Sequence, residues 1–126
     1  MLFSEDKDIG DYVIRRYGPE GILVNDELHA GPVLLTPERL VCSHLPDRLE
    51  AIDETRLRDW LKHEPEILLL GTGPRLRFPS PALVACVEAA GVGCEIMDTP
   101  AACRTWNILS SERRRVVALL LPLQQL

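Results

Sequence analysis

The chain changes its hydrophobic period near its middle. Before residue 53, short apolar runs alternate with turn residues. Tyr12, Val13 and Ile14 precede a stretch from Arg15 to Glu20, where Gly18 and Pro19 supply turn geometry, and Gly21, Ile22, Leu23 and Val24 follow. This pattern predicts a β-hairpin. A second hairpin is predicted from residues 32–36 and 39–42 around Pro37 and Glu38, and residues 49–52 read as a further short strand.

From Asp53 the period shifts to about 3.6, placing Leu57, Trp60 and Leu61 on one face of a helix. Asp53 is the expected N-cap, Lys62 and His63 suit the negative C-terminal end, and Pro65 marks the stop. Ile67, Leu68, Leu69 and Leu70 form an unbroken apolar run, the signature of a strand covered on both faces. Ser80 and Pro81 open a second helix that buries Leu83, Val84 and Val87 and stops at Gly91. A strand over residues 92–97 follows. Thr99 and Pro100 repeat the cap-and-proline device for a third helix, with Ala102, Cys103, Trp106 and Leu109 inward, and residues 116–121 close the chain as a last buried strand.

Helix, strand, helix, strand, helix, strand demands a sheet with helices on both faces. The expected fold is therefore α/β, a three-layer α/β/α domain with a central mixed sheet, N-terminal β-hairpins preceding the alternating half. The strands at 67–70 and 93–97 should be parallel neighbours through a right-handed crossover. With 126 residues and no linker or repeat, the whole of 1–126 reads as one domain.

Composition narrows the function classes. A net charge of −5 opposes nonspecific nucleic-acid binding, which needs cations to displace counterions from phosphates, and Arg113, Arg114 and Arg115 form the only basic run. No apolar stretch approaches the roughly 20 residues that cross a bilayer, so membrane insertion is not expected. The acidic start, MLFSEDKDIGDY, lacks the features of a secretory or transit leader, and four dispersed cysteines suit a reducing compartment. A cytoplasmic location follows as the expectation.

The parallel pair would bring Gly71, Thr72 and Gly73 to the same sheet edge as Asp98 and Thr99, where open α/β sheets place ligands. Two helix N-termini there offer backbone N–H groups, and Arg75, Arg77 and Arg104 would add formal charge for a small anion. The segment has neither GxGxxG nor the Lys-Ser/Thr of a P-loop, and the plain alternative is that the glycines only shape a turn. No cofactor or metal is expected, since Cys42 and His44 are the only close Cys/His pair. No GxSxG elbow or triad is present either. Cys103, near a helix start, reads as a core thiol because it shares a face with Trp106.

LLLGTG at 68–73, the proline-led helix after FPSP, EIMDTPAACRTWNIL at 95–109 and ERRRVVALLLP at 112–122 together resemble a known family. It is the small α/β domain-of-unknown-function family that includes mitochondrial NADH dehydrogenase (complex I) assembly factor 3 and the adipogenesis-associated domain protein. The resemblance is strong over the C-terminal half and one of element type and order before Asp53. It implies a three-layer fold without established enzymatic activity, acting through protein partners during assembly of a respiratory complex. On the family pattern Gly71, Thr72 and Gly73 match the GTG turn, while Asp98, Thr99, Ala102, Arg104, Thr105 and Asn107 match the opening of the third helix. Trp106 replaces the usual tyrosine there, so a role for a phenol is not carried over. Without a mitochondrial leader, a bacterial relative is the expectation. The candidate ligand or partner site is thus Gly71, Thr72, Gly73, Arg75, Asp98, Thr99, Arg104, Thr105 and Asn107. A noncatalytic interaction module is the favoured reading; a small-molecule binder or enzyme at the GTG edge is the alternative.

Overall fold

The computed structural model describes residues 12–124; the acidic start, from which the absence of a leader was inferred, lies outside these residues. Among them, strands β1 (Ile14–Gly18), β2 (Gly21–Val24) and β3 (Glu27–His29) form an antiparallel meander. A second, mixed sheet contains β4 (Val33–Leu35), β5 (Leu40–Val41), β6 (Ile67–Gly71), β7 (Gly93–Met97) and β8 (Val116–Leu120) in the order β5-β4-β8-β6-β7. Helices α1 (Glu54–Leu61), α2 (Pro81–Ala89) and α3 (Thr99–Ser111) complete it.

β6 runs parallel to both β7 and β8, with Gly71 level with Met97 on one side and Leu120 on the other. The C-terminal ends of three strands therefore share one edge. Both faces of this sheet are covered, which explains the continuous apolar runs. Leu69, Val116, Ala118 and Leu120 point to α3 and the meander, packing with Ile14, Ile22, Val24, Cys103 and Trp106. Leu68, Leu70, Val117 and Leu119 point the other way, onto Leu57 and Trp60 of α1 and Val87 of α2. The strand period of two thus sorts one unbroken run into two cores. Each fully buried leucine contributes about 1.5–3 kcal/mol.

The caps follow local chemistry. Asp53 accepts from Arg56 N at 2.8 Å, and Ser80 accepts from Leu83 N with a proline in the first turn. Gly91, at φ 78°, ends α2 in the left-handed conformation that a side chain disfavours. The end of α1 is held from outside: Arg115 donates to the carbonyls of His63 at 2.7 Å and Glu64 at 3.4 Å while pairing with Glu38. Arg114 pairs with Glu66, so Arg114 and Arg115 of the basic run are both engaged within the chain.

Four local expectations are corrected. Arg15 to Gly18 belong to β1 rather than to a turn, because Gly18 pairs with Gly21 and only Pro19 and Glu20 lie between. β3 is an additional strand, reached through a tight turn in which Asn25 takes φ 53°. Residues 49–52 form no strand: Leu49–Ala51 is a short 3-10 helix, which lets Leu49 and Ile52 reach the same core. Thr99 is not the cap of α3. Asp98 is, accepting from Ala101 N at 2.9 Å.

Candidate functional site

Released from capping, Thr99 ties three strand ends together. Its Oγ1 donates to Leu121 O at 2.8 Å and accepts from Gly73 N at 2.8 Å, while its own N–H donates to Gly73 O at 2.8 Å. Leu121 N in turn donates to Gly71 O at 3.0 Å, and Thr72 N to Met97 O at 2.9 Å. Thr72 and Thr99 are fully buried. The edge where β6, β7 and β8 end is therefore a closed set of internal bonds, as buried polar groups require.

The two glycines serve different needs here. Gly73 takes φ 99°, which the turn requires. A Cβ on Gly71 would stand 3.0 Å from Thr99 Oγ1 and from Ala102 Cβ and 3.1 Å from Thr99 Cα. Gly71 thus lets α3 sit against the sheet.

The start of α3 has the same economy. Asp98 receives the N–H of Ala101 on its side chain and that of Ala102 on its carbonyl, Gly73 O receives that of Thr99, and Pro100 has none. A helix N-terminus attracts anions through such unpaired donors. At α3 the protein itself occupies them.

Thr72 organises the following loop. Its hydroxyl donates to Arg75 O at 2.6 Å and accepts from Arg77 N at 3.1 Å, fixing the backbone of an exposed turn from inside. Arg77 pairs with Glu50, whereas the Arg75 guanidinium makes no bond or ion pair among the described residues. Between and beyond these arginines, Leu76 is 52% and Phe78 69% exposed. These two apolar residues were absent from the sequence-derived site. Their signal was legible: RLRF lies in a connection, where no element would bury either side chain.

The remaining residues of the third-helix segment engage β1, Tyr12 just before it, or β7 rather than the GTG turn. Asn107 accepts from Ile14 N at 2.9 Å and donates to Ile14 O at 2.8 Å, so its amide pairs with the strand as a peptide would. Trp106 donates its indole N–H to Tyr12 O at 3.0 Å, giving the tryptophan a polar partner in place of a phenol. Arg104 donates to Tyr17 Oη at 2.6 Å, and Thr105 to the Met97 sulfur at 3.2 Å. Gly71, Thr72, Gly73, Asp98 and Thr99 are thus brought together; Arg104 and Asn107 join α3 to the meander; Arg75 faces solvent.

Cys103 is 1% exposed, and burial pushes its thiol up to about 12, against a weaker opposing effect of Arg104. It is a core thiol. Among the described residues no group of three or more His, Cys, Asp or Glu is placed to hold a metal ion, and no helix is long and apolar enough to cross a membrane.

An antiparallel meander, a five-stranded mixed sheet with helices on both faces and a threonine-tied strand edge define a small α/β domain of the three-layer class. Residues 14–121 match the family described as "Protein of unknown function (DUF498/DUF598)", and the chain belongs to that family. It is 32% identical over 124 residues to NADH dehydrogenase (ubiquinone) 1 alpha subcomplex assembly factor 3 of Xenopus tropicalis, covering 94% of this chain and 66% of that protein. The chain so spans just under two thirds of the length of that relative. The 13 kDa major membrane protein of Francisella tularensis is 25% identical over 122 residues, covering 96% of this chain and 99% of that protein. A crystal structure of a Bordetella parapertussis protein superimposes with a TM-score of 0.80 at 40% identity, covering 88% of this chain and 95% of that one.

Proposed function

We propose that the chain is a noncatalytic interaction module that assists assembly of a larger, respiratory-type complex through protein contacts in the cytoplasm. The similarity to a named assembly factor of NADH dehydrogenase supports the assembly role. The observation that carries the reading is the closed edge: the N–H groups and hydroxyls of Thr72, Gly73 and Thr99, where the fold would place a ligand, are engaged within the chain. With its chemistry-bearing groups satisfied internally, the domain has its outer surface left for function. The higher identity to the Bordetella protein than to the Xenopus factor supports a bacterial member.

One feature favours the alternative, a small-anion site at Gly71, Thr72 and Gly73: Arg75, two residues beyond that turn, has no partner among the described residues. Titration with inorganic phosphate, followed by amide NMR shifts, separates the two. Shifts confined to Thr72 and Gly73 would favour the anion site.

The assembly role is tested by depleting the chain in its own cell and resolving respiratory complexes on native gels. Assembled complex should fall while synthesis of its subunits continues. Unchanged assembled complex overturns the proposal.

A further inference from the structure

We infer that the loop carrying Arg75, Leu76, Arg77 and Phe78 is the docking surface, and that its occupant is a segment of a partner protein carrying carboxylates beside apolar side chains. This rests on the assembly reading and names the surface through which it works. Exposed apolar residues scattered singly need no explanation. Here two large ones, Leu76 at 52% and Phe78 at 69% exposure, lie two positions apart and alternate with two arginines.

The loop is built to hold them out. Thr72, itself fully buried, grips the backbone at Arg75 and at Arg77. At the far end Pro79 lines an apolar crevice with Ile52, Leu57 and Leu83, anchoring the chain before α2 begins. The Arg77 guanidinium is steadied by Glu50 from the 3-10 helix. A loop fixed in this way loses little further freedom on binding, which lowers the entropic cost of association.

Charge selects the occupant. Arg75 has no partner among the described residues, and Arg77 shares only Glu50, so the patch is locally basic on a chain of net charge −5. An acidic segment is attracted to the patch, and its apolar side chains can cover Leu76 and Phe78. A lipid surface fits less well. Two apolar side chains and two arginines make a small anchor, and the remaining negative charge of the chain is repelled by anionic headgroups.

The test replaces Phe78, and separately the exposed Leu28 of β3, with the photocrosslinking residue benzoylphenylalanine in the full chain in its native cell; attached peptides are then sequenced. Position 78 should yield a protein crosslink to a peptide holding both carboxylates and apolar residues. Its yield should fall about tenfold on adding Arg75→Glu, the scale of a lost charge pair at an interface. Crosslinks to lipid at position 78, to a peptide without carboxylates, or insensitive to Arg75→Glu overturn the inference. Protein crosslinks from position 28 alone overturn the loop while leaving the assembly role standing. No protein from either position counts against both.

Discussion

Thr99 donates its hydroxyl to the carbonyl of Leu121 at 2.8 Å, joining the first turn of α3 to the end of β8 across 22 residues of sequence. The same oxygen accepts from Gly73 N. Thr99→Val keeps the shape and removes both bonds, leaving a buried carbonyl and a buried N–H without partners. Urea denaturation should show a loss of about 2–4 kcal/mol, the sum expected for two stranded groups. Thr99→Ser, which keeps the hydroxyl, should lose only about 1 kcal/mol for the missing methyl. Equal losses in the two variants would show that the hydroxyl is not the joint.

Gly71 is held by close approach rather than by an unusual φ. A methyl group there meets the backbone and side chain of Thr99 at 3.0–3.1 Å, so α3 must move outward. Gly71→Ala should destabilise by about 1–3 kcal/mol, the usual range for overpacking. Amide shift changes centred on α3 and β8 would confirm the route; changes confined to the loop after β6 would contradict it.

Asn107 holds β1 to α3 through both atoms of its amide. Asn107→Ala should cost about 1–3 kcal/mol and speed hydrogen exchange at Ile14, whose N–H loses its acceptor. Asn107→Asp retains the acceptor for Ile14 N but turns a carboxylate towards Ile14 O. Its deficit should shrink as pH falls and the carboxyl becomes a donor. A pH-independent deficit would argue against this pairing.

Cys103 gives an alkaline signature. The thiol ordinarily titrates at 9.0, and in the folded chain burial raises it to about 12. The unfolded state therefore releases its proton first, so the contribution is fully present below the unfolded value and is lost as pH rises from about 9 towards 12. Replacing the thiol, as in Cys103→Ala, should flatten the stability profile in that window relative to the parent. Below it, an alkylating reagent should modify exposed Cys42 readily and Cys103 only on unfolding.

The alternating half of the chain was legible because its strands are covered on both faces. Unbroken runs such as ILLL and VVALLL can only be buried, and Ser80 with Pro81 marks a helix start without tertiary help. β3 was missed although Asn25 and Asp26 form a turn signal, because Glu27, Leu28 and His29 are too few to show a period. The meeting of the GTG turn with Asp98 and Thr99 followed from the β-α-β order alone. That these groups are closed off by Leu121 did not, since β8 joins β6 by a sheet order that local pattern does not encode. The Asn107 pairing with Ile14 spans 93 positions and likewise depends on packing of two separate sheets. Leu76 and Phe78 were not singled out, because their exposure beside a loop whose backbone Thr72 fixes at Arg75 and Arg77 depends on a side chain buried at the end of β6.

The claim that function passes through protein contacts on the outer surface is tested most directly by crosslinking mass spectrometry of the full-length protein in its native cell. An interaction module of this kind should give reproducible crosslinks to a subunit or assembly intermediate of a larger complex. A chain that crosslinks to no protein above background would contradict it.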